Sequence, residues 1–393
     1  MNDVLYMAWR YIRFHWGKTV LLVSAISLVL FLPAGLHVVV EQGAQTLTAR
    51  AESTPLLIGA KGSAVDLTLS ALYFRPPNLS PCEFREVHWV SRTGLAIGIP
   101  LHLRYTVRKQ RIVGTTMDYA DFRSLAVAQG RWFGLLGECV LGAQAARVLG
   151  VGVGEYVLSS AGSAFDVAGA FPLKMPVVGV LKPTGTADDE AVFVDVKTTW
   201  IISGLAHGHD NVNAAQQGNK GVLKREDGNV VANATVLSYT QITPQNIDSF
   251  HFHGDPDSFP VDAVLAVPKN RKSGILLRGR YEQQDTTVQM LVPSQVVNEV
   301  LETMFSVRNY VILGSIGVGV ATLMTAALVF LLSIRLRRRE IETIRKIGGS
   351  SRRLRGMLVS EILLVVFGGV VIAGVLTIGV SRFGDLLVRF IGS

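Results

Sequence analysis

The chain has 393 residues, of which 49% are hydrophobic and only 17% are charged, and its formal net charge is +8. Soluble proteins carry about 25% charged residues, so this composition disfavours a purely soluble enzyme. Most of the positive charge lies in residues 335–357 and in residues 1–18. Residues 335–357 contain eight arginines and one lysine but only two glutamates. Because both segments border apolar runs, the charge excludes nucleic acid as a partner and indicates orientation in a membrane.

Three apolar runs are long enough to cross a bilayer, which takes roughly 20 residues of helix. Residues 19–40 and 309–334 contain no charged side chain, and residues 358–380 contain only Glu361. An open-ended chain can satisfy its backbone groups in lipid only as a helix. The sequence therefore predicts three transmembrane helices, here called the first, second and third spans.

The basic segments predict the direction of these spans. Lys and Arg are enriched on the cytoplasmic side, which places residues 1–18 and 335–357 in the cytoplasm and residues 41–308 and 381–393 on the opposite side. The first run exceeds the about 7–15 apolar residues of a signal peptide, so we expect a retained span. The predicted fold class is an α-helical membrane protein with a large mixed α+β extracytoplasmic domain inserted between the first and second spans.

The extracytoplasmic segment is long enough for a packed core of one or two lobes. Short apolar runs predict strands at 177–180, 191–194 and 263–267. Helices are predicted at 143–149 and 294–306. Residues 206–232 are polar and rich in Gly, Asn and Gln, which predicts a loop. Cys82 and Cys139 both lie in this segment, and the sequence leaves open a disulfide or two buried thiols.

No motif of the sequence supplies catalytic chemistry of its own. A G-x-x-x-x-G-K-[ST] phosphate loop is absent, because the fragment Gly17-Lys18-Thr19 has Ile12 in place of the first glycine. The motifs G-x-S-x-G, H-E-x-x-H and C-x-x-C are absent as well. Any ATP hydrolysis must therefore come from another chain.

The loop between the second and third spans predicts a short amphipathic helix. Ile341 and Ile344, followed by Ile347 or Gly348, recur at helical spacing and form a narrow apolar stripe on a basic segment. Gly348 and Gly349 are typical of a helix end. On the residues alone two interpretations stay open: the helix binds a groove on a partner protein, or it rests on anionic membrane lipids.

Residues 338–353 (RREIETIRKIGGSSRR) resemble the segment that follows the second span in MacB/FtsX-type permeases of ABC transporters. Further motifs, in the order of a MacB-like periplasmic core domain, lie at 113–116 with 118–119, at 130–133, at 137–142 and at 177–180, and residues 57–63 resemble a subgroup of these permeases. The resemblance thus covers nearly the whole chain. Members of this family normally have four spans, whereas residues 383–390 (FGDLLVRF) are too short and too charged to form a fourth.

The resemblance implies a membrane subunit without an ATP-binding site, catalytic residues or a directly bound cofactor. A separate ABC ATP-binding subunit would carry ATP and magnesium, and a second permease copy or a paralogue would complete the assembly. The loop helix would be the coupling helix, and its candidate contact residues are Arg338, Arg339, Glu340, Ile341, Ile344, Arg345 and Gly348. The second span, continuous with the helical stretch 294–306, would carry motion to the outer domain by mechanotransmission. The implied location is the bacterial inner membrane, with the large domain in the periplasm.

Three functions are compatible with these features. The first is a permease subunit that acts on an envelope substrate (a lipoprotein, lipid, peptide, small molecule or metal complex), with a periplasmic adaptor or lipoprotein as a further partner. The second is an FtsX-like regulator that activates a periplasmic partner without transport. The third is a membrane-anchored receptor or sensor without an ATPase.

Two H-x-H units in the extracytoplasmic segment are candidate metal ligands. His207 and His209 form one unit, His251 and His253 the other, and an aspartate follows each. Residues i and i+2 of a strand point to the same face, so each unit could offer two imidazoles. Imidazole and carboxylate suit zinc or copper(II). Polar loop histidines without a ligand are the alternative interpretation.

Three other features have structural interpretations. The acidic run 188–190 is interpreted as a solvated turn, and the aromatic pair 132–133 as part of the core. Glu361, at the start of the third span, is expected to pair with an arginine of the coupling loop.

Overall fold

The computed structural model describes residues 2–160, 172–208, 222–226, 229–232, 241–283, 287–336, 338–346 and 351–391. The chain divides into two compact units. The helical unit contains Met1–Leu47 and Glu299–Ser393, and the α/β unit contains Thr48–Asn298.

The α-helices are α1 (Asn2–Phe14), α2 (Trp16–Glu52), α3 (Ala64–Tyr73), α4 (Arg85–Arg92), α5 (Asp118–Arg123), α6 (Ala143–Leu149), α7 (Val196–Ile202), α8 (Arg271–Gln283), α9 (Pro293–Leu336), α10 (Arg338–Lys346) and α11 (Ser351–Ile391). The β-strands are β1 (Leu56–Ala60), β2 (Cys82–Glu83), β3 (Ala96–Leu101), β4 (Thr106–Val107), β5 (Gln110–Thr115), β6 (Val127–Gly130), β7 (Cys139–Leu141), β8 (Tyr156–Leu158), β9 (Lys174–Leu181), β10 (Ala191–Asp195), β11 (Ala206–Gly208), β12 (Val222–Glu226), β13 (Asn229–Ala232), β14 (Phe250–Phe252), β15 (Pro260–Val261), β16 (Ala263–Pro268) and β17 (Val288–Leu291).

Among the described residues, three helices are long and apolar enough to cross a membrane: α2, α9 and the Arg355–Arg382 part of α11. They contain the three predicted apolar runs. Large apolar side chains along them are exposed, including Leu313 and Phe367, each at 67%. Such exposure is costly in water and suits contact with lipid. Helix α11 continues to Ile391, so the predicted tail 381–393 is helical as far as that residue.

Helices α2, α9 and α11 share a small core, which is formed by Leu22, Ala326 and Val365. Helices α2 and α11 approach closely at Gly369, where an added Cβ would lie 2.6 Å from Cγ2 of Ile26. Ser27 Oγ of α2 donates a hydrogen bond to the Gly369 carbonyl at 3.1 Å. Small residues at such crossings let helix backbones come together in a membrane.

The α/β unit contains two larger sheets. The four-stranded sheet has the order β17-β1-β16-β3 and is antiparallel. The seven-stranded sheet has the order β4-β5-β10-β7-β9-β6, with β8 also paired to β9, and is mixed. The strands predicted at 177–180, 191–194 and 263–267 are confirmed as parts of β9, β10 and β16. The predicted loop 206–232 lies partly outside the described residues, and its described parts form β11, β12 and β13.

Helix α7 joins the cores of the two sheets. Ile201 and Ile202 belong to the core of the seven-stranded sheet, whereas Val196 and Trp200 belong to the core of the four-stranded sheet. The indole Nε1 of Trp200 donates to the Pro260 carbonyl at 2.9 Å, which satisfies the one polar atom of this buried side chain. Because one helix contributes to both cores, the two sheets form a single compact unit.

The two cysteines are separate buried thiols. Cys82 on β2 lies in the core of the four-stranded sheet, and Cys139 on β7 lies in the core of the seven-stranded sheet. The disulfide that the sequence left open is therefore not formed. Burial raises the pKa of the Cys82 thiol to about 12, and burial also raises the pKa of the Cys139 thiol above its ordinary value. Both thiols are protonated at neutral pH and unreactive in the folded protein.

His102 makes the α/β unit sensitive to acid. Its side chain is buried, and burial lowers its pKa, although Asp262 nearby favours the charged form. In the unfolded chain a histidine binds its proton near pH 6.5. Below that pH the unfolded state binds this proton more readily than the folded state does, so stability falls as the pH decreases. We expect the free energy of unfolding to drop more in wild type than in His102→Gln between pH 7.5 and 5.5. Denaturant unfolding at both pH values measures this, and parallel pH profiles would contradict it.

Candidate functional site

Helix α10 is the structural counterpart of the predicted coupling helix. It spans Arg338–Lys346, between α9 and α11 in the chain. Arg338 is 83% exposed, and its Nε lies 3.6 Å from Oε1 of Glu342, one helical turn on. Arg339 and Lys346 are exposed as well. An exposed pair at this spacing contributes only about 0.3–0.5 kcal/mol.

The structure describes the side chains of only some of the predicted contact residues. Gly348 lies outside the described residues, and for Glu340, Ile341, Ile344 and Arg345 only the helical backbone is described. The helix that the isoleucine spacing predicted is present, and the assignment of these residues to a partner contact stays a prediction.

A buried charged cluster joins three helices of the helical unit. Lys18 Nζ of α2 lies 3.0 Å from Oε1 of Glu361 on α11 and donates to Ser333 Oγ of α9, also at 3.0 Å. The Glu361 residue is 4% exposed, and the ammonium group lies 4.7 Å from the ring centroid of Phe330. From the sequence, an arginine of the coupling loop was the predicted partner of Glu361, and the contact with Lys18 was not predicted. Paired charges among apolar helices are costly and fix the positions of the helices that supply them.

A second buried cluster lies at the end of α2, within the α/β unit. The Arg50 guanidinium donates to both oxygens of Asp188, at 2.6 and 3.0 Å, and to the Tyr119 hydroxyl at 3.0 Å. The Tyr119 hydroxyl donates to Asp188 Oδ1 at 2.7 Å, and Thr186 Oγ1 donates to Oδ2 at 2.8 Å. Burial alone would raise the pKa of the Asp188 carboxyl, but these hydrogen bonds and the Arg50 charge hold it below its ordinary value.

The acidic run 188–190, which was interpreted from the sequence as a solvated turn, is solvated only in part, because Asp188 is buried whereas Glu190 is exposed. Asp188 is only 2% exposed because Arg50, far away in the chain, neutralises it. Asp189 instead stabilises the preceding turn by accepting hydrogen bonds from the backbone N–H groups of Thr184 and Gly185, each at 2.8 Å. No local pattern distinguishes the two aspartates, so the sequence carried no signal of this pairing.

The prediction that the aromatic pair 132–133 belongs to the core is confirmed for Phe133, and Trp132 is half-buried beside it. Phe133 is 2% exposed, and the Trp132 ring lies 5.7 Å from the ring of Phe193 on β10. The neighbouring Arg131 forms a two-pronged ion pair with Glu138, at 2.8 and 2.5 Å, which closes the loop that contains both aromatic residues.

The two H-x-H units meet on neighbouring strands. His207 of β11 stands directly opposite His251 of β14 in an antiparallel pair. The rings of His251 and His253 lie 4.7 Å apart, and both side chains are exposed. His209 and the side chain of His207 lie outside the described residues. Within the described part of the chain, no group of three or more His, Cys, Asp or Glu residues is arranged to hold a metal ion.

Solved structures similar to this chain include two outer domains of ABC-type transporters. The periplasmic region of MacB from Actinobacillus actinomycetemcomitans is 11% identical with a TM-score of 0.35, and the match covers 65% of this chain and 97% of that structure. The extracellular domain of the noncanonic ABC-type transporter YknZ from Gram-positive bacteria is 11% identical with a TM-score of 0.31. That match covers 60% of this chain and 98% of that structure. A search of curated proteins found no match.

Two family models match the sequence itself. The MacB-like periplasmic core domain matches residues 19–232, more than half of the chain, and the FtsX-like permease C-terminal domain matches residues 311–390. The resemblance recognised in the sequence is thereby confirmed. Neither domain is an ATP-binding domain. The chain belongs to the MacB/FtsX family of ABC-transporter permeases, membrane proteins with an extracytoplasmic domain.

Proposed function

We propose that this chain is the membrane subunit of an ABC system in which a separate ATPase drives movement of the extracytoplasmic domain. Helices α2, α9 and α11 cross the bacterial inner membrane, residues 1–18 and α10 lie in the cytoplasm, and the α/β unit lies in the periplasm. The observation that carries the proposal is α10. It is a separate helix between two candidate membrane helices, and its described basic side chains are exposed.

Helix continuity supports transmission of motion. Helix α2 runs without interruption over Trp16–Glu52, and α9 runs over Pro293–Leu336. Each contains a predicted span and also residues that belong to the α/β unit. A continuous helix passes displacement along its axis, so movement at the coupling helix would reach the periplasmic domain through these two elements. The spans themselves hold few ionisable groups, which favours work on a substrate outside the membrane over passage through a polar pore.

The topology can be tested with introduced thiols, because both natural cysteines are buried and give little background. Thr343 on α10 and Met117 in the α/β unit are exposed, Met117 at 58%. In whole cells we expect a membrane-impermeant maleimide to label Met117→Cys and to spare Thr343→Cys until the cells are opened. Labelling of Thr343→Cys in intact cells would overturn the proposed orientation.

Assembly separates this proposal from a receptor without an ATPase. Coexpression with an ABC ATP-binding subunit that is its partner should give a complex that survives purification in mild detergent and hydrolyses ATP. A receptor would purify without it. Release of envelope substrates from spheroplasts then separates a transporting permease from a regulator, which would instead switch on a periplasmic partner such as a cell-wall hydrolase. A second permease copy would appear as two permease chains per particle.

A weak zinc or copper(II) site at the β11–β14 pair is a second, independent proposal. Its support is the register that sets His207 against His251, with His253 beside the latter. Opposite residues of an antiparallel pair lie within about 4.5–5.5 Å at Cβ, close enough for two imidazoles to share one metal. We expect zinc titration of the full chain in detergent to raise its melting temperature, and the double variant His251→Ala/His253→Ala to abolish that rise. An unchanged melting curve in wild type would refute the site.

A further inference from the structure

The last turn of α2 is held in place by a buried ionic cluster. Arg50 is 7% exposed, although arginine is among the residues least often buried. Its guanidinium uses both prongs on Asp188, bonds to Tyr119, and donates through Nε to the Leu72 carbonyl. One side chain of α2 is thereby bonded to helix α3, to helix α5 and to the turn that precedes β10.

A second set of hydrogen bonds holds the two residues that directly follow α2. Arg123 of α5 donates to Ser53 Oγ at 2.9 Å and to Thr54 Oγ1 at 2.7 Å. These two hydroxyls in turn donate to the Arg50 carbonyl, each at 2.9 Å. An arginine at the end of α2 therefore donates to α5, and an arginine of α5 donates to the residues that follow α2.

The turn that carries Asp188 is itself fixed to the seven-stranded sheet. A Cβ at Gly142 would lie 2.2 Å from the Asp188 carbonyl oxygen, so this turn packs directly on the backbone at the start of α6. Asp188 is followed within three residues by β10, a strand in the middle of that sheet. Few bonds therefore separate Arg50 from a central strand of the seven-stranded sheet.

The chemistry of the cluster favours a rigid joint. Burying an ion pair is a poor way to gain stability, because desolvation offsets the attraction between the charges. What a planar, two-pronged arginine–carboxylate pair provides is a fixed orientation. A flexible or purely apolar contact would let the end of a long helix tilt and slide against the domain.

We infer that Arg50, Asp188 and Tyr119 form the joint through which displacement of α2 reaches the seven-stranded sheet. The inference rests on the proposed function, since it assigns a route to the motion that the ATPase would supply. The three residues are positioning residues, because they act through the elements that they connect.

The chain offers a matched control for general destabilisation. Arg104 and Asp262 form another ion pair in the α/β unit, at 2.8 Å, with the Asp262 side chain 1% exposed. Neither residue lies on a helix that contains a predicted span. Asp262→Asn should therefore destabilise the unit without touching the joint.

The test measures backbone hydrogen exchange in the assembled permease–ATPase complex, with and without trapped ATP. The segment followed is 110–195, from the start of β5 to the end of β10. We expect ATP to change exchange in wild type and in Asp262→Asn. In Asp188→Asn, and in the milder variants Arg50→Lys and Tyr119→Phe, this response should fall by half or more while ATP hydrolysis is retained. Only variants whose melting curves show that they are folded are compared with wild type.

Two results would overturn the inference, and they are distinguishable. If Arg50→Lys and Tyr119→Phe keep the full response, or if Asp262→Asn loses it equally, the cluster is not the joint and the proposed function still stands. If ATP has no effect on exchange in wild type, or no ATPase associates with the chain, the proposed function fails and the joint fails with it.

Discussion

Reversing the charge of Arg338 and Arg339 is expected to release the ATPase from the complex. Both side chains are exposed on α10 and face no strong acidic partner among the described residues, since Glu342 lies 3.6 Å from Arg338 in a weak surface pair. Replacing two favourable contacts by two repulsive ones at a charged interface costs roughly 3 kcal/mol, which is about a hundredfold in affinity. Copurification and titration of the purified ATPase onto the permease measure the loss.

The matched control for this variant is Arg271→Glu/Lys272→Glu. Both residues are exposed at the start of α8, so the control changes net charge equally and should leave ATPase binding intact. Six arginines remain in residues 335–357 of the reversed variant, enough to keep the orientation of the spans. If Arg338→Glu/Arg339→Glu retains the ATPase, the helix serves contact with anionic lipid instead.

Replacing Asp188 by Asn is expected to destabilise the α/β unit strongly. The change leaves the Arg50 guanidinium buried, charged and without its carboxylate, and breaking a buried pair in this way costs about 3–5 kcal/mol. Urea or thermal unfolding of the full chain in detergent measures the difference. The control Glu282→Gln removes an exposed partner of Arg278 and should cost less than about 1 kcal/mol. Equal losses in the two variants would contradict the account of the buried cluster.

The sequence was sufficient where the determining signal is local. Apolar runs of span length predicted the helices that became α2, α9 and α11, and the spacing of Ile341 and Ile344 predicted α10. The helix predicted at 143–149 is α6 (Ala143–Leu149), and the apolar run 191–194 lies in β10. Each of these depends on residues that are neighbours in the chain, and hydrophobic periodicity reports on such neighbours.

The charged clusters could not be predicted because their members are distant in the chain. Arg50 meets Asp188 across 138 positions, and Lys18 meets Glu361 across 343. An acidic triplet such as 188–190 has the composition of a solvated turn, and only the folded structure shows which carboxylate a buried arginine neutralises. The facing of His207 and His251 likewise depends on strand register, which no short sequence pattern specifies.

In the proposed function, helix α10 receives movement from an ATPase. The most direct measurement replaces exposed Thr343 with a photoreactive amino acid, irradiates the assembled particle and identifies the adduct by mass spectrometry. We expect a covalent link to the ATP-binding subunit, with a yield that falls when the charges of Arg338 and Arg339 are reversed. Adducts with phospholipid alone would contradict it.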